Sequence, residues 1–344
     1  MVELCRQLHE AVAQVVPTDR WCAFAVDPAT LVATNGFHDE GVSSHVLPRL
    51  LELEHGSTDF NQLPALARSR AGVATLGVAT GGDLAASARW RDVIVPSGLT
   101  HEMRAVFRDG GRVWGALVLL RADNAEDFTP DEARFIGRVS PTVAAGFRAV
   151  LVRQHFDHGD DAREAGILML SGDPLQIRTA TSAARQWLDE LDDGRFGDHL
   201  PTSVVSAAQA ALSKGFGTVT VRTRTRAGRW LTMTAEQTEG SGVVGVIVQP
   251  SRPAEIAQIV GAAHGLTPRE SDIVLLVAAG HTNSEIARLL TMSAYTVADH
   301  LKRVFTKLGV ASRGELTSKL FYDYYLPRVT SGRQAGADGW FLPD

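Results

Sequence analysis

Residues Ser293–Lys307, SAYTVADHLKRVFTK, decide how the C-terminal end of this chain is read. At about 100° per residue, Val297, Leu301, Val304 and Leu308 fall in one narrow apolar stripe. Tyr295, Asp299, Lys302 and Thr306 collect on the opposite side, flanked by Ala298 and Arg303. A helix divided in this way buries one face in its own domain and has no apolar reason to bury the other. Asp299 stands on that second face, with Lys302 at i+3 and Arg303 at i+4. As an exposed intrahelical pair it would contribute about 0.2–0.5 kcal/mol and orient the two cations.

The residues upstream are written in helix-boundary signals. Thr267-Pro-Arg-Glu270 is a capping box with proline at the first helical position. Gly280 supplies the left-handed turn that ends this helix. Thr282-Asn-Ser-Glu285 is a second capping box, opening a helix through Leu290. Thr291-Met-Ser293 is a short turn, and Ser293 caps the next helix. The segment from about Gly265 is therefore expected to be all-helical: helix, tight turn, helix, and a further helix over about Arg313–Tyr325.

These residues resemble the LuxR/NarL-type (GerE-like) helix-turn-helix. The likeness runs from Leu266-Thr-Pro-Arg-Glu270 through Ala279-Gly-His-Thr-Asn-Ser-Glu-Ile-Ala287. It continues with Ser293, Thr296-Val297, His300-Leu301, Lys307-Leu-Gly-Val310 and Ser312-Arg313. Many positions in order at fixed spacing make it specific, over roughly a fifth of the chain. The resemblance implies that Ser293–Lys307 enters the major groove of double-stranded DNA. Its base-facing positions correspond to Ala298, Asp299 and Lys302; Ser293, Tyr295, Thr296, Arg303, Thr306 and Lys307 complete the expected contact set. Family members often carry a basic residue where Ala298 stands, so their base preference does not transfer. Asp299 then has two open roles: holding Lys302 and Arg303, or accepting a hydrogen bond from a cytosine amino group. The resemblance also implies that the helix after it helps to pair two subunits. Leu316, Leu320 and Tyr324 give that helix an apolar stripe, part of which must pack on its own core, and a homodimer with contacts from this helix and from the sensor domains is expected.

Composition fits that division. The chain has 344 residues and a net charge of −5, but Gly265–Val329 carries eight Lys/Arg against six Asp/Glu. A mildly basic module on an acidic body suits nucleic-acid binding by one end only. Two cysteines, Cys5 and Cys22, exclude a disulfide framework and a four-cysteine zinc site. They suit a reducing cytoplasm, and the acidic, amphipathic start is unlike a signal peptide. No apolar run reaches a membrane span.

Two further segments precede the helical end. Residues 1–154 show an opening helix, a strand at Trp21–Val26, a strand at Arg112–Arg121 and a long helix from Pro130 to about Arg153. Thr129 is its N-cap, with acids in the first turn. With Trp114-Gly-Ala-Leu-Val-Leu-Leu-Arg121 and Phe128-Thr-Pro-Asp-Glu132, this segment resembles a GAF domain. That implies a small-molecule effector held over one sheet face, with Trp21, Phe24, Phe37, Trp90, His101 and Trp114 as candidate wall residues beside the plainer role of core packing. Arg91 and Arg104 are candidates to meet an anionic ligand, beside the plainer role of exposed salt bridges. Residues 162–252, with Gly166–Leu170, Ala183-Ala184, Trp187-Leu188 and Gly228-Arg-Trp-Leu231, look like a PAS-type fold. The expected fold class is α+β multidomain: a GAF-like α/β sensor, a PAS-like α+β middle domain and an all-α C-terminal domain at 262–328, with a disordered tail at 329–344.

Other signals are set aside on physical grounds. Gly240-Ser-Gly-Val-Val-Gly245 spells GxGxxG but opens a strand rather than a helix, so it reads as a hairpin turn. His155, His158, Asp157, Asp160 and Asp161 lie in a linker without a second ligand cluster. Arg222, Arg224 and Arg226 alternate along a strand and read as a solvated face. No nucleophile elbow is present. The expectation is a non-enzymatic, cytoplasmic DNA-binding regulator with no cofactor named by its sequence. The rivals are a GAF-containing sensor enzyme and an adaptor whose helical end binds protein.

Overall fold

A computed structural model describes residues 2–39, 46–56, 58–153, 164–172, 175–191, 195–196, 200–213, 217–238, 242–251, 255, 259 and 261–324. Residues 1–150 with 165–250 form one compact unit, and 151–164 with 251–344 form the other. The linker histidines and aspartates at 155–161 and the tail lie outside the described residues.

The first unit opens with α1 (Val2–Ala13), β1 (Arg20–Val26) and β2 (Ala33–Asp39). Then come α2 (Leu47–His55), α3 (Leu63–Arg68), β3 (Val73–Thr75) and α4 (Leu76–Ala79). The hairpin β4 (His101–Asp109) and β5 (Arg112–Arg121) leads into α5 (Pro130–Arg153). These strands form an antiparallel sheet in the order β2-β1-β5-β4-β3. The start of α5 is the expected one. Thr129 N–H donates to Glu132 Oε2 at 2.7 Å and Glu132 N–H to Thr129 Oγ1 at 3.3 Å, so two free N–H groups are satisfied reciprocally. Phe147 of α5 lies so close to Gly115 of β5 that a Cβ there would sit 2.7 Å from its ring.

The same unit continues with β6 (Gly166–Ser171), β7 (Gln176–Ala180), α6 (Ser182–Glu190), the short ladder β8 (Arg195–Phe196) and β9 (Leu200–Pro201), and α7 (Thr202–Leu212). It closes with β10 (Val219–Arg224), β11 (Trp230–Gln237) and β12 (Val244–Pro250). The second sheet runs β7-β6-β12-β11-β10. In each sheet the spatial order is therefore second, first, fifth, fourth, third strand of its own five, all antiparallel. Gln237 pairs with Val244 across the β11–β12 connection, so the GxGxxG stretch joins two strands, as its context implied.

The two sheets share buried material. Every residue of α7 from Thr202 to Ala211 is buried. The helix packs on the second sheet and also on β2 and α2, and Val32 and Leu51 join its core cluster. Asp27, at the end of β1, accepts from Arg222 N–H at 2.9 Å and from its guanidinium at 3.1 Å. The arginine row of β10 departs from its reading as a solvated face. Arg224 is buried, donates to Gly228 O and lies over the Trp230 ring at 5.3 Å. Burial brings its guanidinium down to about 10, because a charge is disfavoured away from water.

The second unit contains α8 (Pro268–Ala278), α9 (Asn283–Leu289), α10 (Ala294–Leu308) and α11 (Arg313–Tyr324). Their apolar faces meet in one core of Leu266, Ile273, Val277, Ile286, Val297, Leu301, Val304 and Leu316 among others. The architecture is α+β through residue 250 and helical in the described residues that follow. No helix among the described residues is long and apolar enough to cross a membrane.

Candidate nucleic-acid interface

Both capping boxes of the helical unit are formed. Thr267 N–H donates to Glu270 Oε2 at 2.8 Å, and Glu270 N–H to Thr267 Oγ1 at 3.2 Å. Thr282 and Glu285 repeat the exchange at 2.7 and 3.4 Å. Gly280, at φ 88°, ends α8, and Gly309, at φ 63°, ends α10, each in the left-handed region that glycine enters freely. The turn from α9 to α10 places Thr291 at φ 53°. A β-branched residue holds that conformation only where its surroundings enforce it, at a cost of about 1–3 kcal/mol. Here Met292 N–H closes the turn on Ala287 O at 2.9 Å. The relative setting of α9 and α10 is thus fixed by backbone as well as by core.

On α10 the apolar stripe is buried as expected: Val297, Leu301 and Val304 face the core. The opposite face stands clear of its own unit. Tyr295 is 76% exposed and the Lys302 side chain 79%. Lys302 Nζ lies 4.0 Å from Asp299 Oδ1, a long i,i+3 charge contact. Arg303 is exposed, and Ala298 and Thr296 are half-buried at the edges of the face. Ser293 caps the helix by accepting from Thr296 N–H at 3.0 Å, and the two hydroxyls lie 2.8 Å apart. Thr306 donates to Lys302 O at 3.1 Å. The last member of the expected set is placed differently. Lys307 Nζ sits 2.6 Å from Glu270 Oε2, tying the end of α10 to the start of α8. That bond joins residues 37 apart in sequence, and no local pattern announces it. Leu316, first of the apolar stripe on α11, is fully buried in the unit's own core. The side chains of Leu320 and Tyr324 lie outside the described residues.

Glu270 connects this geometry to pH. Burial works to raise its carboxyl. The hydrogen bond from Lys307, the N–H and hydroxyl of Thr267 and the Lys307 charge outweigh burial and hold it below the ordinary 4.5. A carboxyl lowered in the folded state stabilises fully above its unfolded value and loses that contribution as pH falls through the folded one. The melting temperature of this unit should therefore be flat from neutral pH to about 5 and fall below 4.5. Glu270→Gln should flatten the acid limb; a limb of unchanged steepness would assign the loss to other groups.

The aromatic residues expected to wall an effector site are dispersed. Trp21 stacks on His9 of α1, centroids 4.3 Å apart. Trp114 is buried at a register shift between β4 and β5 and donates to Asp109 O at 3.3 Å. Trp90 donates to Thr100 O at 2.9 Å, and His101 Nδ1 lies 3.5 Å from Asp127. Phe37 lies on β2, and its side chain is outside the described residues. Of the other five, whose side chains are described, only Phe24 lines a cavity, of about 80 Å³, over one face of the first sheet. At one end of that cavity stand Glu54, Arg89, Glu102 and Arg104. Arg104 is thus buried rather than in an exposed salt bridge, whereas Arg91 is exposed and reaches Ala85 O.

Comparison with known proteins bears on the helical unit. Residues 264–320 match the profile of GerE, the luxR family of bacterial regulatory proteins. A protein of Mycobacterium bovis named as an HTH-type transcriptional regulator is 48% identical over 54 residues, 16% of this chain and 6% of its own length. The monoamine regulon transcriptional regulator of Klebsiella aerogenes is 44% identical over 54 residues, 24% of its length. This chain therefore spans only a small part of such relatives. Among solved structures, a GAF domain/HD domain protein of Geobacter sulfurreducens covers 44% of the chain at 17% identity and a TM-score of 0.33. SdiA of Escherichia coli covers 96% at 12% identity and a TM-score of 0.31, too low, like the first, to fix a fold.

Proposed function

We propose that this chain, whose C-terminal segment is a luxR-family helix-turn-helix domain, is a transcriptional regulator that lays α10 in the major groove of duplex DNA. The observation that carries the reading is the division of α10. Val297, Leu301 and Val304 are committed to the core, while Tyr295, Asp299 and Lys302 stand out on the other side. In this reading Lys302 and Arg303 divide between base edge and phosphate, and Ser293 and Thr296 meet phosphate at the helix start. Lys307 serves chiefly to hold α10 against α8 through Glu270.

The reading extends to the rest of the chain. Segments 1–154 and 162–252 act as GAF-like and PAS-like sensor halves, responding to a small molecule or a partner, and 262–328 is the DNA-binding domain. The protein works in the cytoplasm as a homodimer, so that two α10 helices meet two half-sites. A ligand that favours one arrangement of the sensor halves would shift the spacing of those helices by linkage.

Charge substitutions on α10 test the proposal. Lys302→Ala is expected to weaken specific binding by about 1–3 kcal/mol if the lysine reads a base. If it touches phosphate, the loss is equal on all sequences and the salt slope falls by about one. Asp299→Asn removes a negative charge from the groove face. Non-specific affinity should then rise, and specific affinity should rise less. A loss of about 1–3 kcal/mol at one base pair would instead assign Asp299 a cytosine contact. Unchanged binding in both variants, measured by fluorescence anisotropy at fixed salt, would remove α10 from the groove.

A further inference from the structure

The cavity over the first sheet is built from two kinds of wall. Phe24, Val118 and Leu120 rise from the sheet, and Leu50 and Leu51 of α2 face them. At its polar end two guanidiniums meet Glu54 and Glu102, and Arg89 Nη1 also lies 3.7 Å from Asp59 Oδ2. Arg89 donates to Glu102 at 3.0 and 2.7 Å, and Arg104 lies 2.8 Å from Glu54. These four side chains are 6% exposed or less. Asp59, behind them, accepts from the N–H groups of Phe60 and Arg89, each at 2.8 Å, and from Ser87 Oγ at 3.2 Å.

Among the described residues the pairing leaves three atoms without a hydrogen bond. Arg104 Nη1 donates to Asn61 O at 3.0 Å and lies 2.8 Å from Glu54 Oε2, an ion contact whose orientation is not that of a hydrogen bond. Arg104 Nε and Arg89 Nη1 are buried and likewise make no hydrogen bond among the described residues. The charged end thus retains unused N–H donors beside an unused carboxylate acceptor. Buried polar atoms normally have partners. A neutral group that both accepts and donates, such as a hydroxyl or an amide, matches that pair. A carboxylate would add to three buried carboxylates, Glu54, Asp59 and Glu102, that already outnumber the two guanidiniums, and an ammonium, which only donates, would leave the two arginine donors unmet.

We propose that this cavity binds a small neutral molecule with an apolar body and a single hydroxyl or amide head directed at Glu54, Arg89 and Arg104. At about 10–15 Å³ for each water-sized group, its 80 Å³ takes about five to eight non-hydrogen atoms, far short of a nucleotide. The site lies where occupancy matters to the fold. Thr202, the first residue of buried α7, lines it. Leu31 also lines it, held at φ 61°, a conformation a bulky residue keeps only under constraint. The turn that carries Leu31 is the one from which Asp27 holds Arg222 of the second sheet.

The inference rests on the sensor reading of residues 1–250, and its test contains no DNA, so its failure leaves the proposal for α10 standing. The full chain is titrated with benzyl alcohol, toluene, benzylamine and benzoate at pH 7, with binding read by ligand-observed NMR and thermal shift. Benzyl alcohol is expected to bind about tenfold more tightly than each of the others, because only it satisfies the unmet atoms without adding charge. Ala33→Phe, which fills the cavity from β2, should abolish that binding in protein whose circular dichroism is unchanged. Absence of benzyl alcohol binding, an equal affinity for toluene, a preference for either ion, or binding that survives Ala33→Phe in folded protein would each overturn the proposal. If Ala33→Phe does not fold, the ranking on the unmodified protein decides alone.

Discussion

Arg89→Met should lower the stability of the first unit by about 3–5 kcal/mol. Arg89 is 1% exposed, so water does little to screen what is left behind. Burial works against its charge, but Glu102, then Glu54 and Asp59, hold the guanidinium well above its ordinary value. Without it, Glu102 keeps, among the described residues, only a distant contact with Arg104 at 3.9 Å, and Phe60 O loses its donor. The cost is therefore that of a stranded carboxylate rather than the net worth of an ion pair. Removing both charges should cost less than the sum of the single changes. Arg89→Met with Glu102→Leu is accordingly expected to recover part of the loss, read from urea midpoints at equal slope. Strict additivity of the two changes would show that they do not form one unit.

Leu301→Ala should cost the helical unit about 2–5 kcal/mol. Leu301 is buried among Val297, Val304 and the α8 residues Ile273 and Val277. A domain of this size has little stability to spare. DNA binding should then be lost together with helical signal, whereas Lys302→Ala should lose affinity and keep its melting curve. The contrast separates a residue that places α10 from one that meets DNA. Full DNA affinity in Leu301→Ala would mean that this core does not set the reading helix.

The helical unit was legible in the sequence because its boundaries are local. A threonine and a glutamate three residues apart mark the start of α8 and of α9, glycine marks the ends of α8 and α10, and the stripe on α10 follows the helical period. The first sheet was less legible because β4 does not look like a buried strand. His101–Asp109 carries Glu102 and Arg104 at inward positions, and only their pairing with Arg89 and Glu54 allows burial. That pairing joins β4 to α2 and to the segment before Trp90, distances that no short-range pattern spans. For the same reason the aromatic residues were poor guides to the cavity. Trp21 and Phe24 share a strand but not a face, and the polar end is set by charged residues, of which only Arg104 had been singled out. Arg224 misled in the same way: the period-2 row on β10 is real, but Trp230 on the paired strand shelters it from water.

The most direct measurement of the central claim is the salt dependence of binding between the full chain and duplex DNA carrying a selected site, compared with scrambled duplex. If α10 enters the groove and its flanking groups meet phosphates, the logarithm of the association constant falls linearly with the logarithm of salt concentration. The slope is about −0.9 for each phosphate neutralised, and the selected site stays tighter than the scrambled one throughout. Binding that is indifferent to salt, or absent on both duplexes while the helical unit remains folded, would contradict the account.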